Sequence, residues 1–552
     1  MIKKVINFIK KKIIINEYKI KNREIFKNHY KNSKSEVLVE FNAFHSDHIF
    51  LSYLSNYFAQ KYKSKIIGFH NYSIRISKLN YSLTQTIKWN ISKFIKNNNF
   101  GIYESFGSQN IIRPVISSSQ KIRAEKLFSN SIKGIKSKKS IYLLKFNKIP
   151  FGDLIYDTYL KINFVPTIDF NSDKFQTFLL DFIKLIVYWE DYLEKNNVKA
   201  VIGVHAQYSY GIIHRTAVFK NIITVMHSEG KLFRITKKNY FQHSEFHSFK
   251  KEFKKLPKEL KLRALKKGQQ LIKNRLGGAS GIKSGHTFIS KSSFSNNFKK
   301  RVLVKKNNKL NILIATQDFF DSINVYGRFF FTDYYEWIKF LAKMSNKTKF
   351  NWYIKDHPSY EGKFKRYQPF TSNVTDELCK KYPNLIKIPS DTSHKQIISE
   401  GIDYALTVYG SVQFEYPYYG VPVLTASRAT PTINYNFCIH SKNYNDYKQK
   451  ILNLKKVKKK IDKKSMHEFY FMNFSYHNQD VVYPLYNKFN LKFKKWDLYW
   501  SETFYKFWTD NFNTNQHNNM LKTIENFINS KDLTTNITHL NDKKNFEKYY
   551  KL

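Results

Sequence analysis

The sequence predicts an α/β protein built from two doubly wound domains, and two observations lead to this prediction. Apolar runs typical of buried strands alternate with amphipathic runs typical of helices over residues 36–244, and the alternation begins again near residue 310. Between the two series, residues 245–305 are basic and contain a glycine-rich stretch, which indicates a connection. We therefore expect two parallel sheets covered by helices and facing each other across a cleft.

The elements of the first series follow from the period of their apolar residues. They are a strand in EVLVEFNAF (36–44), a loop in HSDH (45–48), a helix in IFLSYLSNYFAQKY (49–62), a strand in SKIIGFHN (64–71), a helix at 175–195, a strand in KAVIGVHA (199–206), a helix in GIIHRTAVFK (211–220) and a strand in NIITVMHS (221–228).

The second series has the same alternation. Its elements are strands in LNILIATQDF (310–319), FNWYIKDHP (350–358), NLIKIP (384–389), DYALTVYGS (403–411) and VPVLTA (421–426), with helices in YYEWIKFLAKMSN (334–346), SHKQIISEG (393–401) and VQFEYPYYG (412–420).

These patterns divide the chain into five segments. We expect a basic amphipathic segment at 1–35, a first Rossmann-like domain at 36–244, a basic helical and glycine-rich connection at 245–305, a second Rossmann-like domain at 306–465 and a helical extension at 466–552.

The composition favours a folded protein and limits its class. Of 552 residues, 42% are hydrophobic and 17% aromatic, which is too apolar for a disordered chain. The net charge of +52 would suit nucleic acid, but the excess is spread along a chain rich in residues with A/T-rich codons. No zinc spacing or RNA-binding aromatic signature accompanies the charge. The two cysteines form no CxxC site, which fits a reducing compartment.

The N-terminus MIKKVINFIKKKIIIN leaves two interpretations open. Ile2, Val5, Ile6, Ile9 and Ile13 fall at helical spacing among lysines, which suits a helix lying on anionic lipid. The same pattern also suits an amphipathic helix packed on its own domain. Because no apolar run approaches the ~20 residues of a membrane span, and no cleavage site follows, we expect a cytoplasmic protein. The first interpretation of the N-terminus would make it peripheral on the inner face of the membrane.

Polar residues at two strand ends of the second series predict a phosphate-binding site. Gly410 and Ser411 follow a strand, where glycine permits close approach and serine adds a hydroxyl donor. Glu415, one helical turn deeper, is placed to accept hydrogen bonds from ribose or sugar hydroxyls. At another strand end, Lys355 adds positive charge and His357 can donate to a phosphate.

These two stretches also carry a resemblance to a known family. IKDHPSYEG followed by TVYGSVQFEYPYYGVPVL resembles the donor domain of capsule polysaccharide synthesis glycosyltransferases, the group of bacterial Kdo and polysialic acid transferases. The resemblance implies a GT-B-like fold of two Rossmann-type domains, with a nucleotide sugar, often a CMP-sugar, held by His357, Pro358 and Ser411. FGDLIYDTYLK (151–161) is similar to a segment of surface polysaccharide biosynthesis proteins.

Glycosyl transfer also requires a base for the acceptor hydroxyl, which we seek at strand ends of the first series. A carboxylate beside an imidazole can orient it, so His45 with Asp47 is the preferred pair, although a loop cap explains the same residues. The catalytic candidates are His45, Asp47 and Glu229, and the candidate acceptor contacts are His205, His214 and Arg215.

The function predicted is transfer of a sugar from a nucleotide-sugar donor to a growing surface polysaccharide of the capsule or lipopolysaccharide. A sugar-nucleotide epimerase or polyol-phosphate transferase shares the strand-end phosphate chemistry, and a basic nucleic-acid-binding protein is the third alternative. We expect no cofactor besides a CMP- or UDP-sugar substrate, and no metal, because no DxD-like pair stands at an evident strand end. The expected partners are the nucleotide sugar, a polysaccharide or lipid-linked acceptor and an anionic membrane surface.

Overall fold

The computed structural model divides the chain into two compact units. Unit 1 comprises residues 1–158, 170–242 and 477–549, and unit 2 comprises 159–169, 243–476 and 550–552. Within these units the structure describes residues 2–27, 30–42, 44–70, 82–96, 99–228, 230–284, 292–298, 300–304, 307–357, 368–457, 461–477, 485–493 and 495–541.

Unit 1 is built on a sheet in the order β3-β2-β1-β6-β7-β8, in which all neighbours are parallel except β7 and β8. Its strands are β1 Ser35–Phe41, β2 Lys65–His70, β3 Ser108–Ile112, β6 Asn197–Gly203, β7 Ile223–Ser228 and β8 Lys231–Arg234, with a separate hairpin of β4 Lys145–Phe146 and β5 Ile149–Pro150. Its first nine helices are α1 Ile2–Ile25, α2 His45–Tyr62, α3 Leu83–Phe94, α4 Asn99–Ser105, α5 Ser118–Ile132, α6 Lys138–Tyr142, α7 Gly152–Asn163, α8 Asp173–Lys195 and α9 Gly211–Phe219. The last residues of α7, from Tyr159, belong to unit 2.

Unit 2 contains a fully parallel sheet in the order β11-β10-β9-β12-β13-β14. Its strands are β9 Asn311–Ala315, β10 Asn351–Lys355, β11 Leu385–Ile388, β12 Tyr404–Thr407, β13 Val423–Thr425 and β14 Ile439–His440. Its helices are α10 Phe249–Lys255, α11 Lys258–Leu276, α12 Tyr334–Ser345, α13 Gln368–Lys381, α14 His394–Ser399, α15 Val412–Glu415, α16 Tyr444–Leu452 and α17 Lys463–Phe471.

The chain then contributes α18 Leu485–Phe493, α19 Glu502–Asp510 and α20 Thr514–Asn529 to unit 1. α19 packs on α1 and α2, and α20 packs on α2. The segment at 245–305, which the sequence indicates as a connection, lies in unit 2, where α11 packs on α17.

In each sheet the first strand is central, the second and third lie on one side, and the remaining three lie on the other. This is the strand order of a doubly wound nucleotide-binding domain, so the predicted fold class of two doubly wound, Rossmann-type domains is confirmed. The predicted cleft stays a prediction. One local prediction is wrong, because HSDH forms the first turn of α2 rather than a loop. In that turn Asp47 and His48 are buried and His45 is half-buried. Their packing on unit 1 explains why the helix begins at His45 rather than after a loop.

Candidate functional site

The strand order of unit 2 reverses between β9 and β12, which are neighbours in the sheet although β10 and β11 separate them in sequence. Ligands of doubly wound sheets bind beside the carboxyl ends of the strands at such a reversal. Thr316, after β9, donates its backbone N–H to the carbonyl oxygen of Lys355 at 3.1 Å and accepts the N–H of His357 on Oγ1 at 3.0 Å. Gly410 and Ser411 follow β12. The described donor-binding candidates thus lie at or after the carboxyl ends of β10 and β12, at one edge of the sheet.

Lys355 is a buried cation at this edge. Its side chain is 3% exposed, and Nζ donates to the carbonyl oxygen of Ser390 at 2.7 Å. Burial lowers the pKa of Lys355 to about 8, although Asp356 and Asp391 partly oppose this shift. Within the described ranges, no carboxylate lies at ion-pair distance from Nζ. Burial of the Lys355 ammonium costs free energy, and an anion bound at this edge would offset that cost.

Arg275, near the end of α11, is a second buried cation, and the sequence analysis did not select it. Its Nε donates to Glu415 Oε1 at 2.8 Å, and its Nη2 donates to Ser293 Oγ at 3.4 Å. Its Nη1 is buried without a hydrogen-bond partner among the described residues. Burial lowers the pKa of His394 well below its usual value, and the charges of Lys355, Arg275 and His357 lower it further. These four basic side chains, which we call the basic cluster, are therefore close together.

Glu415 forms its hydrogen bonds with protein side chains, whereas the sequence predicts a contact with ribose or sugar hydroxyls. The residue is fully buried, and both carboxylate oxygens have protein partners: Oε1 accepts from Arg275, and Oε2 accepts from Ser411 Oγ at 3.0 Å. Ser411 consequently makes no side-chain cap to α15. Glu415 thus anchors Arg275 and the loop after β12, and its contact with a ribose or sugar hydroxyl stays a prediction.

The glycine before Ser411 is explained by a close approach within the unit. A Cβ at Gly410 would lie 2.8 Å from Thr407 Oγ1, which accepts the Gly410 N–H at 3.1 Å. The glycine therefore allows β12 to turn tightly into α15. Pro358, the other predicted residue of this site, lies outside the described residues.

Unit 1 has its own reversal between β1 and β6, where Glu40 of β1 is buried. Glu40 Oε2 accepts the N–H of Val204 at 2.8 Å and lies 3.8 Å from His214 Nε2. Burial raises the pKa of Glu40, but His214, His205 and the Val204 N–H together outweigh it and lower this pKa. A carboxylate that stays ionised beside the half-buried His205 is a candidate acceptor contact or base that the sequence analysis missed.

Asp47 pairs with a histidine other than the predicted one. Its Oδ1 lies 3.3 Å from His227 Nδ1 without hydrogen-bond alignment, and Asn42 Nδ2 donates to Oδ2 at 3.4 Å. The His227 ring stacks on Phe50 at 3.8 Å, and its Nε2 accepts the Gly230 N–H at 3.1 Å. The stacking and this hydrogen bond fix the imidazole beside the carboxylate at the carboxyl end of β7.

His45, the partner predicted for Asp47, lies elsewhere in the first turn of α2. Its ring centroid is 4.8 Å from that of Tyr505, and burial lowers the pKa of His45 while Glu502 partly opposes this. Within the described part of the chain, no hydrogen bond or ion pair joins His45 to Asp47. The structure therefore favours the Asp47 and His227 pair over the predicted His45 and Asp47 pair.

His214 and Arg215 are enclosed in α9 rather than placed at a rim. His214 is fully buried, and a Cβ on Gly203 would lie 2.3 Å from its ring, so the strand accommodates this histidine through a glycine. Both guanidinium Nη atoms of Arg215 bind the Asp153 carboxylate, at 2.6 and 2.8 Å, in a buried bidentate pair. These contacts give both residues a structural role, and their contact with an acceptor stays a prediction.

Glu229 lies outside the described residues, and His205 packs between the rings of Phe44 and Tyr210 at centroid distances of 6.4 and 5.5 Å. No group of three or more His, Cys, Asp or Glu that could hold a metal ion occurs in the described part of the chain. Metal independence is therefore still a prediction.

Comparisons with known proteins identify no family. No protein-family model matches the chain, and no curated protein matches it. Among solved structures, the UDP-GlcNAc 2-epimerase from Neisseria meningitidis bound to UDP-GlcNAc is 12% identical, with 82% of this chain and 100% of that chain covered and a TM-score of 0.22.

Two further structures give similar values. The UDP-GlcNAc 2-epimerase of Methanocaldococcus jannaschii in complex with UDP-GlcNAc and UDP is 11% identical over 78% of this chain and 97% of that chain, with a TM-score of 0.24. A glycosyltransferase from Rickettsia africae is 11% identical over 84% of this chain and 97% of that chain, also with a TM-score of 0.24. Superpositions this poor support no argument about activity, so the function must be argued from the chain's own residues.

Proposed function

We propose that the protein is a glycosyltransferase that moves a sugar from a nucleotide-sugar donor to a growing surface polysaccharide. The observation that carries this proposal is the basic cluster at the strand reversal of unit 2, where Lys355 is buried without an ion-pair partner in the described ranges and Arg275 Nη1 lacks a hydrogen-bond partner there. The phosphate oxygens of a nucleotide sugar would bind both groups. The resemblance of the His357 and Ser411 stretches to capsule polysaccharide synthesis glycosyltransferases supports the same role.

The reaction assigns different tasks to the two sets of residues. An acceptor hydroxyl oxygen bonds to the anomeric carbon, the bond from that carbon to the phosphate oxygen of the nucleotide breaks, and the nucleotide keeps the bonding electron pair. The basic cluster stabilises the negative charge that develops on this leaving group. The hydroxyl proton passes to a base, and the candidate carboxylates for this role are Asp47 beside His227 and Glu40 beside His205.

Helix α1 supports an association with the anionic inner surface of the cytoplasmic membrane. Residues 5–13 are all exposed, including Val5, Ile6, Ile9 and Ile13. Further along, Tyr18 stacks on Tyr505 at 4.1 Å, so the second half of the helix packs on unit 1. The second half of α1 fits the interpretation of a helix packed on its own domain, and the exposed first half is the part that we propose contacts lipid. No helix in the described ranges is long and apolar enough to cross a membrane.

Ligand binding tests the donor site directly. Thermal stabilisation by CMP, UDP, CDP and GDP should identify one preferred nucleotide, because a ligand that binds the native state raises its apparent stability. Lys355→Gln should weaken that affinity about tenfold or more, since it removes a charge-assisted contact. Lys343→Gln, on the exposed side of α12, makes the same charge change and should leave the affinity unchanged.

A transfer assay then separates the alternative enzymes. With a radiolabelled nucleotide sugar, label should move to a polysaccharide or lipid-linked acceptor, and it should stay in the donor when no acceptor is present. Label recovered as an epimerised nucleotide sugar without acceptor would identify an epimerase and overturn the transferase proposal. Equal nucleotide affinity of the parent chain and Lys355→Gln would overturn the donor site.

A further inference from the structure

Helix α3 has the sequence of a well-formed amphipathic helix. Ser82 and Gln85 form a capping box, in which Ser82 Oγ accepts the Gln85 N–H and Gln85 Oε1 accepts the Ser82 N–H, both at 3.2 Å. Leu83, Ile87 and Ile91 recur every four residues, so they share one helix face. In a water-soluble domain such a face is expected to cover the core.

The structure places the opposite face of α3 against unit 1. Thr86, Trp89 and Ser92 are its half-buried residues, and no residue of α3 is fully buried. Thr86 Oγ1 accepts from Arg113 Nη2 at 3.2 Å, and the Arg113 guanidinium lies 5.2 Å from the centre of the Trp89 ring. The helix is therefore attached through its polar side and one tryptophan.

Trp89 also fixes where on unit 1 the helix lies. Its ring centroid is 6.0 Å from that of Phe41, the last residue of β1, and 5.4 Å from that of His70, the last residue of β2. Arg113 directly follows β3. α3 thus crosses the carboxyl ends of three strands, beside the reversal at which Glu40 and the Asp47 pair lie.

The apolar face of α3 points to solvent along its whole length. The exposed fractions are 77% for Leu83, 47% for Ile87, 53% for Ile91, 87% for Phe94 and 58% for Ile95. A continuous exposed stripe of this kind marks an interaction surface rather than the scattered apolar residues of an ordinary protein surface.

The charge around α3 identifies the partner. The sequence contains no Asp or Glu between Asp47 and Glu104, whereas Lys88, Lys93 and Lys96 lie on or directly after the helix. Apolar side chains flanked by lysines, without carboxylates, match the acyl and headgroup layers of an anionic bilayer. A second protein chain would need a face that is both apolar and acidic, which this chain does not offer in α3 itself.

We propose that α3 inserts its apolar face into an anionic membrane surface and thereby holds the carboxyl edge of the unit 1 sheet at the bilayer, where a lipid-linked acceptor is presented. The acceptor part of this proposal rests on the proposed function. The membrane part rests on α3 alone and does not depend on the exposed first half of α1.

Vesicle binding tests the membrane part. In the full chain, Ile87→Ser, Ile91→Ser and Phe94→Ser together should weaken binding to phosphatidylglycerol-containing vesicles about tenfold or more, because affinity follows the apolar area that enters the bilayer. The control carries Ile122→Ser, Leu262→Ser and Leu491→Ser, three apolar residues that are 68%, 58% and 59% exposed on other helices. It should bind vesicles like the parent chain. Equal binding by the α3 variant and the parent, or a change only in oligomeric state, would overturn the proposal.

Sugar transfer tests the acceptor part and keeps the two proposals distinguishable. The α3 variant should bind nucleotide normally and transfer sugar to a detergent-dispersed acceptor, yet lose most transfer to the same acceptor embedded in vesicles. Equal transfer to both forms would refute a role of α3 in acceptor presentation. If neither the parent chain nor the α3 variant transfers sugar to the detergent-dispersed or to the vesicle-embedded acceptor, the proposed function fails. Vesicle binding alone then decides whether α3 contacts membranes.

Discussion

Lys355 is a buried cation for which we propose an anionic ligand. Burial lowers its pKa to about 8 from 10.5, so the ammonium form predominates near neutral pH but is held there at a cost in free energy. Because the folded-state pKa lies below that of the unfolded chain, this cost is fully present below about pH 8 and disappears as the pH rises towards 10.5. A bound phosphate would offset the cost.

We therefore expect nucleotide-sugar affinity to fall as the pH rises through about 8, where the Lys355 ammonium loses its proton. Lys355→Arg should keep a cation at every pH in this range and flatten the profile, since arginine stays protonated. Isothermal titration between about pH 6.5 and 9.5 measures both profiles. A parent chain whose affinity is constant over that interval would show that Lys355 does not contact the ligand.

The buried pair of Arg275 and Glu415 leads to a prediction about stability. Arg275→Met leaves Glu415 as a buried carboxylate that keeps only the Ser411 hydroxyl, which should cost about 3–5 kcal/mol. Adding Glu415→Leu should recover most of the loss, because the uncompensated charge is removed. Thermal unfolding of the two variants and the parent measures this. A double variant no more stable than Arg275→Met would show that packing, rather than charge, dominates at this position.

At the scale of single residues, the sequence locates side chains at strand ends but does not reveal their partners. The positions of Lys355, His357 and Ser411 follow from where the apolar strands end. Arg275 could not be recognised, because in sequence it is one more cation of a basic helix, and only the packing of α11 buries it. Glu40 gave a weak signal that was passed over, a glutamate inside the otherwise apolar strand EVLVEF.

Among the secondary-structure elements, the contact of α11 with α17 depends on one glycine. A Cβ on Gly268 would lie 1.8 Å from the carbonyl oxygen of His467 in α17, which is a backbone atom and cannot rotate away. In an exposed helix, Gly→Ala is stabilising by up to ~1 kcal/mol. At this crossing the added methyl group must push the two helices apart.

Gly268→Ala should therefore lower the unfolding midpoint, with a cost of about 1–3 kcal/mol from overpacking. Lys266→Ala, two residues earlier on the exposed side of α11, is the matched control and should be neutral or slightly stabilising. Differential scanning calorimetry of the two variants makes the comparison. A Gly268→Ala protein as stable as the control would mean that α11 and α17 can separate at no cost.

The elements themselves were largely predictable, because strands in a parallel sheet are buried on both faces and give continuous apolar runs. The predicted runs contain β2, β7 and β9 to β13 and most of β1 and β6, whereas β3, β8 and β14 Ile439–His440 were not predicted. The segment VQFEYPYYG was less predictable. Its α-helix spans only Val412–Glu415 and continues as a tighter 3₁₀ turn over Tyr416–Tyr419, where Pro417 lacks the N–H of a regular helix.

At the scale of the whole molecule, a net charge of +52 raises the question of whether any anionic surface would be bound without a specific site. Diffuse charge acts through the number of cations near a surface, whereas an inserted helix acts through a few apolar side chains as well. In the first half of α1, Val5, Ile9 and Ile13 are about half exposed, so burial within the described part of the chain does not explain these apolar residues. Insertion of α1 therefore predicts that vesicle binding depends on these apolar side chains, which net charge alone does not predict.

Replacing Val5, Ile9 and Ile13 with serine leaves the net charge at +52 and should weaken binding to anionic vesicles severalfold, because apolar area is lost from the inserted face. Lys455→Gln, Lys456→Gln and Lys464→Gln together remove three charges from exposed positions of unit 2 and should leave that binding nearly unchanged. Vesicle co-sedimentation at several salt concentrations compares the two, since screening weakens diffuse attraction more than insertion. If the lysine variant loses the greater share of binding, diffuse charge rather than α1 accounts for the binding to vesicles.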